Sequence, residues 1–261
     1  MAKFVITGED VSLPTPEELG ARSAEELVAI VVAEVMFFKN VGAELQRRPP
    51  DESAARALVA AFRSGQAPPW MTAYLLGCIG DEAGYDTVRE ILLSAPGQLA
   101  ESYAGEALAR IRGERAFDDL RMLLQDAPKR VSRAGAASGL AQLASPDAAT
   151  AILEAALSAR IGYMTAGNVL TDLPVDAHRV VLLLSSDDLR SLTLATEIVW
   201  MAVTGELRGW KPVPWLREAR ADLASALSKA LANPELKMAP RKREELMAFV
   251  SSAEQRRVGV E

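Results

Sequence analysis

Cys78 and His178 are the chain's one cysteine and one histidine, and they stand 100 positions apart. A thiol nucleophile needs a nearby base, and a zinc site needs several soft or borderline ligands. This inventory provides neither. Cys78 lies between Leu76 and Ile79 on an apolar stretch, where a thiol acts as a small core residue. His178 follows Asp176 and reads as a helix-end surface residue without a second ligand. The carboxylate pairs Asp118-Asp119 and Asp187-Asp188 fall where helices begin, and acids there complement the helix dipole. Two basic clusters remain, Arg241-Lys242-Arg243 and Arg256-Arg257. Glu244 and Glu245 follow the first directly, as on a solvated amphipathic helix. No glycine-rich phosphate loop, HExxH, GxSxG or dinucleotide fingerprint is present. The reading therefore assigns no catalytic residue, cofactor or metal ligand, and it leans away from an enzyme.

Composition bounds the elements that must hold any site. Apolar residues make up 49 % of 261, enough for a sizeable core, and aromatics only 5 %. Helices packed through small side chains suit an Ala- and Leu-rich chain. Net charge is −6, which opposes nucleic-acid binding. From position 206 to the end there are 11 Lys/Arg and 8 Asp/Glu, a net of +3. The remainder carries 29 − 11 = 18 bases and 35 − 8 = 27 acids, a net of −9. One cysteine allows no internal disulfide. The first residues lack the apolar core of a signal peptide. The apolar run from Leu27 to Phe38 is interrupted by Glu34 and too short to span a bilayer. A cytoplasmic protein outside the membrane is the expectation.

Internal repetition is the strongest signal. Leu76, Leu108, Leu140 and Leu170 recur at intervals of 32, 32 and 30, each three residues after Ala or Gly. Each is followed by an aliphatic residue, a turn and an acid, as in Leu76-Gly-Cys-Ile79-Gly80-Asp81. A second column runs in step through Val88, Leu120, Ile152 and Leu182. A third runs through Leu92, Leu124, Ala156 and Ser186. The small residue and the leucine share one helix face, and the small side chain admits a close neighbour. Gly or Pro ends the helix, and the acid starts the next. A helix pair of this size leaves apolar surface that only another pair can cover.

Leu76-Gly-x-Ile79-Gly80-Asp81 and its three echoes resemble HEAT-like repeats of the short bacterial type, also found in bilin lyases. The resemblance covers residues 70–186. It implies an all-α fold, a right-handed α-solenoid of helix pairs. Flanking segments read as divergent capping helices at 23–64 and 189–256, within one domain from 23 to 261. Residues 1–22 read as an extended N-terminal segment. Ser23-Ala-Glu-Glu26 is a capping box ahead of a helix that Pro49-Pro50 breaks, and Asp51 caps the next. Further helices are expected at 189–203, 215–231 and 240–255.

Second helices of such pairs usually line the concave face. The repeat period aligns Tyr85 with Phe117, Asp86 with Asp118, and Arg89 with Arg121. These six are the candidate partner contacts; the plainer alternative packs Tyr85 and Phe117 between repeats. The loop from Gly205 to Trp215 adds Trp210, either as a recognition residue or as a plug on the core. The expected function is a non-enzymatic protein–protein interaction module acting as adaptor, regulator or immunity-type inhibitor. Two alternatives come from the resemblance alone: a DNA glycosylase-like enzyme on the same scaffold, and a bilin lyase-like protein.

Overall fold

The computed structural model describes residues 15–94, 97–207 and 213–258, and among these there are helices and no strand. In chain order they are α1 (Pro16–Gly20), α2 (Ala24–Ala33), α3 (Phe38–Leu45), α4 (Glu52–Arg63), α5 (Pro69–Ile79) and α6 (Tyr85–Ser94). Then come α7 (Gln98–Arg112), α8 (Phe117–Asp126), α9 (Arg130–Gln142), α10 (Pro146–Leu157), α11 (Tyr163–Leu170) and α12 (Ala177–Leu184). The last are α13 (Leu189–Leu207), α14 (Pro214–Glu218), α15 (Arg220–Leu231) and α16 (Pro240–Val258). None among the described residues is long and apolar enough to cross a membrane.

The boundaries follow from local chemistry. Ser23 and Glu26 close a capping box on α2. Asp51 and Ser145 accept from backbone amides at the starts of α4 and α10. Asp176 does the same for α12, and Asp81 caps the short turn before α6. Gly80 ends α5 in the left-handed region at φ +72°, where a side chain would be strained.

Three expected boundaries shift. The helix expected between Ser23 and Pro49 is two helices, because Glu34 leaves helical geometry at φ −130° and ψ 85°. The break lets two apolar faces both reach the core: Leu27, Val28 and Val31 before it, Phe37, Val41 and Leu45 after it. The segment expected at 215–231 is divided at Ala219 into α14 and α15. Within the N-terminal stretch expected to be extended, Thr15 and Glu18 form a capping box that opens α1.

Leu76, Leu108, Leu140 and Leu170 are fully buried, and one connected core runs from Leu19 to Ala253. The odd-numbered helices from α3 to α13 pack each on the next. Residue pairs give their direction. Phe38 meets Trp70 and Gly42 meets Tyr74 between α3 and α5. Tyr74 meets Tyr103 and Gly77 meets Ala107 between α5 and α7. Glu101 meets Gly135 and Gly105 meets Gly139 between α7 and α9. Numbers rise together across each pair, so α3, α5, α7 and α9 run parallel and their N-terminal ends share one edge; Arg130 at the start of α9 also lies against Gly162, just before α11.

Small residues make this layer. A Cβ on Gly105 would fall on the Gly135 carbonyl, and one on Gly139 on the Gly105 carbonyl. The backbones of α7 and α9 therefore nearly touch. The even-numbered helices bury Val88, Leu120 and Ile152 against this layer. The fourth member of that column departs: Leu182 is 57 % exposed, while Val180 and Leu184 are buried. The repeat is two residues shorter there, and position 182 lies about 200° around the helix from both.

Candidate functional site

The aligned second-helix residues do not form equivalent rungs. Tyr85 is 2 % exposed. Its hydroxyl donates to Asp119 at 2.6 Å, and the Arg112 guanidinium lies 3.3 Å above its ring. Burial and the Asp119 carboxylate together raise the Tyr85 pKa above its ordinary value. Asp119 also pairs with Arg89 at 3.5 Å, and Arg112 with Glu82. Tyr85 and Arg89 thus fasten α6 to α8, and Tyr85 is removed from the expected contact surface. Phe117 is half-buried beside Arg121, which pairs with Asp118 at 3.4 Å. Asp86, Asp118 and Arg121 are exposed. Trp210 lies outside the described residues.

The other sequence candidates also resolve into scaffold roles. Cys78 is buried, and burial pushes its thiol up despite Arg110 and Tyr74 nearby, so it is poorly disposed to ionise. His178 is exposed, and its backbone amide donates to Asp176. Asp188 caps α13; the Ser191 hydroxyl and amide hold its carboxyl below the usual range. The basic cluster on α16 is engaged internally. Arg241 pairs with Glu245, Lys242 with Glu197, and Arg243 donates to the Leu231 and Leu236 carbonyls. Among the described residues no three His, Cys, Asp or Glu side chains form a metal-holding group.

What the fold does assemble is an apolar row along the shared N-terminal edge of the odd-numbered helices. Phe38 opens α3 and Trp70 is the second residue of α5; their rings meet edge-on at 4.9 Å. Tyr74 and Tyr103 extend the aromatic group with centroids 5.3 Å apart. All four rings are half-buried, and burial pushes the Tyr74 hydroxyl up to about 12, with Cys78 adding to the effect. The row continues with side chains left in solvent. Leu99 (55 % exposed), Val131 and Met164 (64 %) are the second residues of α7, α9 and α11, and exposed Leu189 is the first of α13. Met36 stands just before α3.

Five cations share the edge. Lys129 donates to the Ser94 carbonyl at 3.1 Å. Arg133 donates to the Arg160 and Ala127 carbonyls at 2.7 and 2.6 Å, and Arg190 to the Leu157 carbonyl at 3.2 Å. Each closes the C-terminal end of an even-numbered helix, where unpaired carbonyls favour positive charge. Arg130 approaches Gly162, and Arg160 is exposed. Among the described residues none of the five is in a salt bridge, whereas Arg63, Arg89, Arg112, Arg121 and Arg179 elsewhere on the stacked helices each hold a carboxylate. The edge was not legible beforehand. Its members belong to the loops between repeats, and the aligned columns ran through helix centres.

Compared with protein-family models, with curated proteins and with solved structures, the chain matches none.

Proposed function

We propose that this protein is a non-enzymatic protein–protein interaction module, a right-handed α-solenoid of HEAT-like helix pairs that engages its partner along the N-terminal edge of the odd-numbered helices. The observation carrying this reading is the row of exposed Leu99, Val131, Met164 and Leu189. Large apolar side chains scattered singly are ordinary on a surface. Recurrence at the first or second residue of four alternate helices, α7, α9, α11 and α13, is different, because these helices pack in one layer. Direct parallel packing of the alternate helices α3, α5, α7 and α9, supported by the paired residues above, favours the solenoid over an up-and-down bundle, where each helix packs chiefly on its antiparallel chain neighbours.

Affinity capture with the wild-type protein and a Leu99→Asp/Met164→Asp variant tests the reading. Both positions are exposed, so the variant is expected to keep the wild-type melting temperature. The proposal expects one protein retained in stoichiometric amount by the wild type and lost by the variant. Equal retention by both would place binding on another surface.

A further inference from the structure

The same edge carries a net positive charge within the acidic part of the chain. Its four loop-and-helix-start segments are residues 94–102, 126–133, 157–164 and 185–192. They hold five cations: Lys129, Arg130, Arg133, Arg160 and Arg190. Four carboxylates lie in the same segments. Glu101 is 1 % exposed, both its oxygens lack a hydrogen-bond partner, and burial raises its pKa. It faces Lys129, whose charge opposes that rise. Asp188 is tied to Ser191, and Asp126 and Asp187 are exposed. Five cations against these four carboxylates leave the edge at +1, in a chain of net −6.

From this geometry we infer, on the basis of the interaction reading above, that the partner presents an acidic segment with interspersed apolar side chains, laid across α7, α9, α11 and α13. Its apolar side chains rest on Leu99, Val131, Met164 and Leu189, and its carboxylates meet Arg130 and Arg160. Those two guanidiniums make no ion pair among the described residues, so a partner carboxylate displaces none of those described. Cations that also bond backbone carbonyls, such as Arg133 and Arg190, are pre-positioned and lose little rotamer freedom on binding. Neighbouring helix axes lie about 8–10 Å apart, so three intervals span roughly 25–30 Å. An extended segment of about eight or nine residues covers that length at ~3.3 Å per residue.

Charge pattern separates this partner from other anions. Nucleic-acid phosphates give aliphatic side chains nothing to bury against, and their continuous negative field is opposed by Asp126 and Asp187 at the same edge. A flat anionic lipid surface meets the same two carboxylates and finds no exposed Trp or Tyr in the row from Leu99 to Leu189. A peptide can place its charges between them.

The test uses the full chain and labelled synthetic nonapeptides in fluorescence anisotropy. One alternates Glu with Leu, and its counterpart alternates Lys with Leu. A third alternates Glu with Ser. The Glu/Leu peptide is expected to bind, to weaken as salt rises, and to lose roughly tenfold in affinity, about 1.4 kcal/mol, with Arg130→Glu/Arg160→Glu. Loss of Glu/Leu binding in Leu99→Asp/Met164→Asp, and weaker binding of Glu/Ser, are expected too. Each variant is checked by circular dichroism and melting temperature. A single substitution, Arg160→Ala, keeps the test alive if the double variant misfolds; it is expected to weaken binding in the same direction. Equal or tighter binding of the Lys/Leu peptide overturns the inference, as does Glu/Leu binding indifferent to both arginines. Binding to a random duplex DNA or to phosphatidylserine vesicles in preference to Glu/Leu overturns it as well, and so does self-association through the edge in sedimentation. A captured partner that needs Leu99 and Met164 but not Arg130 and Arg160 defeats this inference and leaves the interaction reading intact. A captured partner indifferent to all four defeats both.

Discussion

Glu101 shows how the tightest contact in the molecule sets the state of a single side chain. Its backbone lies against Gly135, the residue is 1 % exposed, and neither carboxylate oxygen finds a donor among the described residues. Burial therefore raises its pKa, with Lys129 acting in the opposite direction. A folded pKa above the unfolded value of about 4.3 means that folding favours the protonated form. The resulting stability is fully present below the unfolded pKa and is lost as pH rises through the folded one. Glu101→Gln keeps the shape of the protonated acid and cannot ionise. Urea midpoints of the two proteins should coincide at acid pH and separate as pH rises. At pH 8 the variant should be more stable, by an amount on the order of 1 kcal/mol. Identical curves throughout would mean that the carboxylate is solvated in the folded state. Nothing in the sequence marks this group: Glu101 lies in the first turn of α7 like an ordinary helix-start acid, and its burial follows from packing against neighbouring elements.

Between elements, two kinds of contact hold the stack, and they differ in how far the sequence announced them. The leucine columns and small residues were readable because the 32-residue interval repeats them. Gly105 and Ala137 occupy the same position of the repeat, each three residues before its leucine. Gly135→Ala would drive a methyl against the Glu101 carbonyl and a Leu92 methyl. Backbone yields little, so a loss of about 2–3 kcal/mol is expected in urea unfolding. Gly20→Ala has open space around it and should change stability by no more than about 0.5 kcal/mol. The polar contacts were not readable. Tyr85 and Phe117 occupy equivalent positions, yet only the tyrosine is sunk between helices, because Asp119 of the next pair accepts from its hydroxyl. Removing that hydroxyl in Tyr85→Phe leaves Asp119 with Arg89 alone and is expected to cost about 1.5–3 kcal/mol, the range for a bond to a charged acceptor. Partner binding along the opposite layer should be unchanged in this variant. A loss of binding at unchanged stability would restore Tyr85 to the contact surface. Alignment identifies positions that repeat; it does not say which neighbour each side chain finds, and the binding edge escaped for the same reason.

At the scale of the whole chain, the proposed solenoid makes a claim about cooperativity. In a stack, each pair touches only its neighbours, so damage at one end should stay there. In a single globular core, the same damage lowers protection everywhere. The C-terminal end offers a clean site for the comparison. Leu246 is fully buried on α16, and α16 docks on α13 through Trp200 to Glu245 at 2.7 Å and through Lys242 to Glu197. Leu246→Ala removes apolar packing worth roughly 2–5 kcal/mol and leaves those polar contacts in place. Native-state hydrogen exchange should then show faster opening of α15, α16 and the end of α13 that meets them. Amides in α5, α7 and α9, held together by the Gly77–Ala107 and Gly105–Gly135 contacts, should exchange as in the wild type. Among the described residues the two ends are linked through α11, α12 and the start of α13, with α12 paired to α10 by Arg179 and Glu154, so the loss reaches the N-terminal pairs through successive interfaces. Uniform acceleration across all helices would show that the repeats fold as one indivisible core. The stacked architecture proposed from the 32-residue period would then be wrong in the property that defines it.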